Sequence, residues 1–156
     1  MNAIQFAAKV KESFLKYFPN GFLGSSKYQL GGGIHFTAGL VSNANDISSG
    51  YRVNDIISLS FGIHDNVKYN TEEEIQGKIV IEFVQNSFST KPEPGSYMAM
   101  GRVKIPARKI NNTPEKAIES LDKVFQKTAE LIKAEVLKNN LYRQENINEK
   151  YLNSIK

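Results

Sequence analysis

The chain has 156 residues, 40% hydrophobic and 23% charged, the size and composition of one folded domain with a sizeable core. It contains no cysteine, which excludes disulfides, zinc–thiolate sites and cysteine nucleophiles and fits a reducing, cytoplasmic location. The net charge of +4 is uneven: residues 1–99 hold 8 basic and 9 acidic side chains, and residues 100–156 hold 12 and 7. An excess gathered at one end of a chain fits an acidic partner, either nucleic acid or a negative protein surface.

Residues 3 to 18 form the first predicted helix. Ile4, Ala7, Phe14, Leu15 and Phe18 are expected on its apolar side, with Gln5, Lys9, Glu12 and Lys16 opposite. Lys9, Lys11 and Glu12 interrupt the N-terminal stretch, so no signal-peptide core is expected there. Pro19-Asn20-Gly21 stops the helix, because proline cannot continue the hydrogen-bond ladder and Asn-Gly tolerates turn geometry. Residues 28 to 40 then read as a strand, with Ile34, Phe36, Ala38 and Leu40 alternating against His35, Thr37 and Gly39. Gly31-Gly32-Gly33 precedes a strand, whereas phosphate-binding glycine motifs open a helix. A bulge or a close backbone crossing is expected there.

A polar loop spans residues 42 to 55. In the next strand Ile57, Leu59, Phe61 and Ile63 share one face, and Ser58, Ser60, Gly62 and His64 the other. Ile75, Ile79, Ile81 and Phe83 form a further core-facing run with Lys78 and Glu82 opposite. A prolyl loop follows, and then a strand over about 96 to 110, in which Val103, Ile105 and Ala107 alternate with Arg102, Lys104 and Arg108. Thr113-Pro114-Glu115 is a helix start: an N-cap, a proline at the first helical position and an acid in the first turn. Ile118, Leu121, Val124, Phe125, Leu131, Ile132 and Val136 make the apolar stripe of this last helix, which ends near Asn139-Asn140. Beyond about residue 140 a loosely ordered tail is expected.

These elements predict a single α+β domain over residues 1–156. Its antiparallel sheet has about four to five strands and is covered on one face by the N- and C-terminal helices. No apolar run approaches the roughly 20 residues of a membrane span, so no membrane partner is expected. The uncovered face is expected to carry His35, Thr37, Ser58, Ser60, His64, Arg102, Lys104 and Arg108. Basic side chains at strand spacing suit contact with phosphates or carboxylates, and base stacking additionally requires aromatic rings. Phe36 and Phe61 fall on the apolar side. The candidate binding residues are therefore Arg102, Lys104, Arg108 and Lys109, with an acidic protein surface favoured over nucleic acid. Neither a catalytic group nor a metal or cofactor is assigned, and oligomeric state is left open.

His35-Phe36-Thr37 matches half of the His-hydrophobic-Thr signature of two-histidine phosphoesterases, in which paired imidazoles exchange protons with the substrate. The second half is missing, since His64-Asp65-Asn66 has no hydroxyl residue two places on. Phosphodiester hydrolysis through His35, Thr37 and His64 is thus the minority expectation. The stretch from Phe18-Pro19-Asn20 through Gly31-Gly32-Gly33-Ile34-His35-Phe36 to Asn54-Asp55 resembles small accessory proteins of phages and mobile elements. That resemblance implies an anti-defence, anti-CRISPR-like role: inhibition of a host complex by protein–protein contact in the host cytoplasm. The resulting expectation is a non-enzymatic macromolecule-binding protein, with sequence-nonspecific nucleic-acid binding as the alternative.

Overall fold

The computed structural model describes residues 1–19, 21–28, 32–39, 58–64, 67–85, 87–90, 101–104 and 109–139. Their element order is α1 (Ala3–Tyr17), β1 (Phe22–Lys27), β2 (Ile34–Gly39), β3 (Ser58–His64), β4 (Ile79–Gln85), β5 (Ser87–Thr90), β6 (Gly101–Lys104), β7 (Ile110–Asn112) and α2 (Pro114–Asn139). Five strands form one sheet in the order β1-β2-β3-β4-β7, and β5 and β6 form a separate two-stranded ladder. Every pairing is antiparallel. The chain is an α+β protein, as its strand alternation predicts.

Helix α1 begins with a capping box. The Asn2 side chain accepts from the Gln5 N–H at 2.8 Å, and the Gln5 side chain accepts from the Asn2 N–H at 3.0 Å. The N-terminal amine pairs with Glu74, and the Ile75 N–H donates to the Met1 carbonyl at 3.0 Å, which ties the helix entry to the segment before β4. Helix α2 starts where Thr113-Pro114 places it: the Ala117 N–H donates to the Thr113 carbonyl at 2.8 Å, the first bond of the helix.

The core lies between the two helices and one face of the sheet. Ala3, Phe6, Val10, Phe14 and Phe18 come from the α1 side, and Ala117, Leu121, Phe125, Ala129 and Ile132 from α2. Ile34, Phe36, Phe61, Ile63, Ile79 and Ile81 face them from the strands. Phe36 and Phe61, opposite each other in the β2–β3 register, stack with centroids 4.8 Å apart. Phe125 reaches Phe61 at 6.0 Å and Phe14 edge-on at 5.5 Å, joining sheet and helices through aromatic contacts. Thr128, buried among these groups, satisfies its hydroxyl by donating to the Val124 carbonyl at 2.7 Å.

Two expectations need correction, and one strand is additional to those expected. The buried side of α1 is centred on Phe6 and Val10, and Ile4 is exposed. Both candidate stripes have helical spacing, and the phenylalanines remove more area from water than Ile4 does. Residues 22–27, to which no element is assigned from the sequence, form a strand because a full six-residue ladder with β2 supplies the backbone bonds. The strand expected over 96–110 is represented by two short elements in different sheets: β6 pairs with β5, and β7 pairs with β4. Pro106 lies between them in sequence, and a proline has no N–H to give to a continuous ladder. Ile105 and Ala107, with the tail from residue 140, lie outside the described residues.

Candidate binding face

The core occupies one side of the five-stranded sheet, and strand alternation assigns the other side to a second set of residues. In the β1–β2–β3 register Ser26 lies opposite His35 and His35 opposite Gly62, while Gly24, Thr37 and Ser60 form the next row. In the β3–β4 register Gly62 lies opposite Glu82 and His64 opposite Val80. His35, Thr37 and His64 are all half-buried.

Tyr28 is the centre of this face. It follows β1 directly and is pinned at the mouth of the β1–β2 turn, where its N–H donates to the Gly33 carbonyl at 2.8 Å and its carbonyl accepts from the Gly32 N–H at 3.3 Å. Its ring crosses to β3. It meets the His64 imidazole edge-on at 4.5 Å and lies 5.8 Å from His35. Gly62 makes room for it, since a Cβ there would sit 3.0 Å from Tyr28 Cε2. Gly33 also has a steric reason: a Cβ would lie 1.9 Å from the Ile63 carbonyl oxygen. The triple glycine thus contains the close backbone crossing expected of it, and Gly32 adopts a φ of 78°.

Charge collects beside the rings. Glu82 Oε2 is 3.4 Å from His64 Nε2, and Glu82 Oε1 is 3.2 Å from Lys109 Nζ. The first contact is long for a hydrogen bond and suits an ion pair when the imidazole is protonated. Burial holds the His35 pKa below the ordinary histidine value, so this ring favours its neutral form.

Of the four basic candidates, only Lys109 has a described side chain; it is 61% exposed and engaged with Glu82 at the rim of this face. Arg102 and Lys104 lie opposite Ser89 and Ser87 in the β5–β6 ladder, whose β6 strand runs close to α2. They therefore do not belong to the sheet that carries His35 and His64. Arg108 lies outside the described residues. Tyr28 is the member that sequence reasoning misses on this face. A tyrosine three residues before a glycine triplet, followed by a strand with alternate histidine and threonine, is the signal that was available.

A second polar cluster joins the helices. Asp122 of α2 accepts from Ser13 Oγ at 2.8 Å and from the Tyr17 hydroxyl at 2.6 Å, with Lys16 Nζ at 3.5 Å. Burial pushes the Asp122 pKa up, but the Tyr17 and Ser13 hydrogen bonds and the Lys16 charge together hold it below the ordinary value. The hydrogen bond to Asp122, with burial, raises the Tyr17 pKa. A shallow groove floored by Ala8, Leu15 and Ile118 runs beside this cluster. Its polar groups satisfy one another, and the arrangement fastens α1 to α2.

Among the described residues no group of three or more metal-ligating side chains is assembled, and no helix is long and apolar enough to cross a membrane. No protein-family model, curated protein or solved structure matches the chain.

Proposed function

We propose that the protein is a non-enzymatic macromolecule-binding protein, and that it docks a negatively charged partner on the sheet face carrying Tyr28, His35, Thr37 and His64. The observation that carries this reading is the segregation of the sheet. The described helices cover one face, and the other presents partly exposed polar aromatic rings with Lys109 at their rim. Arg102, Lys104 and Arg108 are proposed as further contacts. Inhibition of a host defence complex is the form of this role implied by the resemblance to phage accessory proteins.

Binding is favoured over catalysis by the state of His64. Its Nε2 is buried and faces a carboxylate, a poor position from which to exchange a proton with a phosphodiester. His35 and His64 do share a face, so the hydrolytic reading has a direct check. Turnover of a phosphodiester that disappears in His35→Ala would replace binding with catalysis.

The test of the binding reading is affinity capture from a candidate host lysate, with and without nuclease. A retained partner that is lost on Arg102→Glu with Lys104→Glu, or on Lys109→Glu, is the expected result. Retention of nothing in either arm at low salt overturns the proposal.

A further inference from the structure

We infer that Tyr28, His35 and His64 form a stacking site for unpaired nucleobases, so that the negatively charged partner is single-stranded nucleic acid. This inference rests on the open sheet face being the docking surface and names its ligand. Three π systems meet on that face: the Tyr28 ring lies 4.5 Å from the His64 ring and 5.8 Å from the His35 ring. Aromatic rings on a flat sheet are a recurrent way to hold splayed bases, because every base offers a π face whatever its sequence. Duplex bases have both faces covered by neighbours and do not fit such a platform.

The platform is held in place before any ligand arrives. Tyr28 is fixed by two backbone hydrogen bonds at the turn, lies close over the bare backbone of Gly62 and abuts the His64 ring edge. A ring restrained in this way loses little freedom when a base stacks on it. These rings differ in kind from the core aromatics: Phe14, Phe36, Phe61 and Phe125 are fully buried, whereas Tyr28, His35 and His64 carry polar atoms and retain access to solvent.

The surrounding charge fits a phosphate backbone. Lys109 is exposed at the β4 side of the face, beside Glu82. Glu82, the carboxylate nearest the rings, is already shared between Lys109 and His64, which reduces its repulsion of phosphate. Burial favours the neutral form of His35, so it contributes as a stacking ring while Lys109 supplies the charge. An acidic protein surface would use Lys109 but has no need of three adjoining rings.

The test uses the full chain and a fluorescein-labelled oligothymidine of roughly 12 nucleotides, within the usual range for such sites. Anisotropy is compared for this strand and for its duplex with oligoadenosine at low and at moderate salt. Expected are preference for the single strand, weakening as salt rises, and a loss of about tenfold or more in affinity for Tyr28→Ala with little change for Tyr28→Phe. Binding of the duplex as tight as the single strand, or a Tyr28→Ala protein that binds like the parent, overturns the inference. A second readout needs no variant. The chain has only 2 histidines, so their imidazole protons can be assigned, and stacking of a base must shift them as the strand is added. Unshifted histidine signals at saturation also overturn it. If no oligonucleotide binds while capture retains a nuclease-resistant protein, the docking proposal stands and this inference fails; if neither binds, both fail.

Discussion

The two faces of the sheet use aromatic rings in opposite ways. On the core face Phe36 and Phe61 stack at 4.8 Å with no exposure, and Phe125 closes over them. On the other face, one residue away along the same strands, His35 lies opposite Gly62 and the space over that glycine is filled by Tyr28. The first arrangement removes area from water and stabilises the fold. The second holds rings at the surface, where they contribute less to folding and are accessible to a ligand. Substitutions that act differently on the two faces can break or sharpen this division.

The largest effect belongs to the core. Phe61→Ala removes a ring that contacts Phe36, Phe83 and Phe125, and it is expected to destabilise by about 3–5 kcal/mol in urea unfolding. Tyr28→Ala is expected to lower stability by about 1 kcal/mol, the scale of an aromatic pair contact on a half-exposed surface. Equal losses for the two would show that Tyr28 is a core residue in function and that the division is wrong.

The glycines give a second contrast. Gly33→Ala drives a methyl into the Ile63 backbone carbonyl, which can move only with the ladder, and a loss of about 1–3 kcal/mol or more is expected. Gly62→Ala meets the edge of the Tyr28 ring, a side chain that can swing aside. Thermal unfolding of Gly62→Ala should therefore lie nearer the parent, while its Tyr28–His64 contact is displaced. A greater loss for Gly62→Ala than for Gly33→Ala would mean that the ring is locked more firmly than the backbone.

How legible these features are in the sequence depends on how far each is set locally. The strands β2 and β3 are visible because their alternation is uninterrupted, β4 because Ile79, Ile81 and Phe83 recur at every second position, and α2 because Thr113-Pro114-Glu115 marks its start. Strand β1 is hidden: its Gly-Ser-Ser content favours a turn, and only the partner strand makes it extended. The open face is half legible. His35, Thr37 and His64 follow from alternation, but the position of Tyr28 depends on where the chain reverses between β1 and β2, and period-two counting cannot cross a turn of unknown length. The basic strand fails for a related reason, since alternation indicates which residues share a side but not which sheet the strand joins.

A smaller effect concerns the helix clasp. Asp122→Asn keeps the shape but weakens the charge-assisted bonds from Ser13 and Tyr17, with an expected loss of roughly 1–3 kcal/mol. The folded pKa of Asp122 is depressed, so its contribution is full above the unfolded value and is lost as pH falls through the folded one. The parent should therefore lose stability on acidification more steeply than Asp122→Asn. Parallel urea midpoints for the two proteins down to about pH 3 would remove the ionised clasp from the account.

The smallest expected effect returns to the open face. Burial lowers the His35 pKa, so between that value and the ordinary one of about 6.5 the unfolded chain binds more protons than the folded one. Stability must then rise with pH across that window and level off above it, the reverse of a histidine held by an ion pair. His35→Gln should flatten this contribution, which is read as the difference in urea midpoint between parent and variant from about pH 5 to pH 7.5. The difference should be small, because the ring is only partly withdrawn from water and its charged form remains partly solvated. If the variant instead gains stability relative to the parent as pH rises, His35 is favoured in its charged form when folded. The face would then present a cation where a neutral ring is required, and its stacking role would pass to Tyr28 and His64 alone.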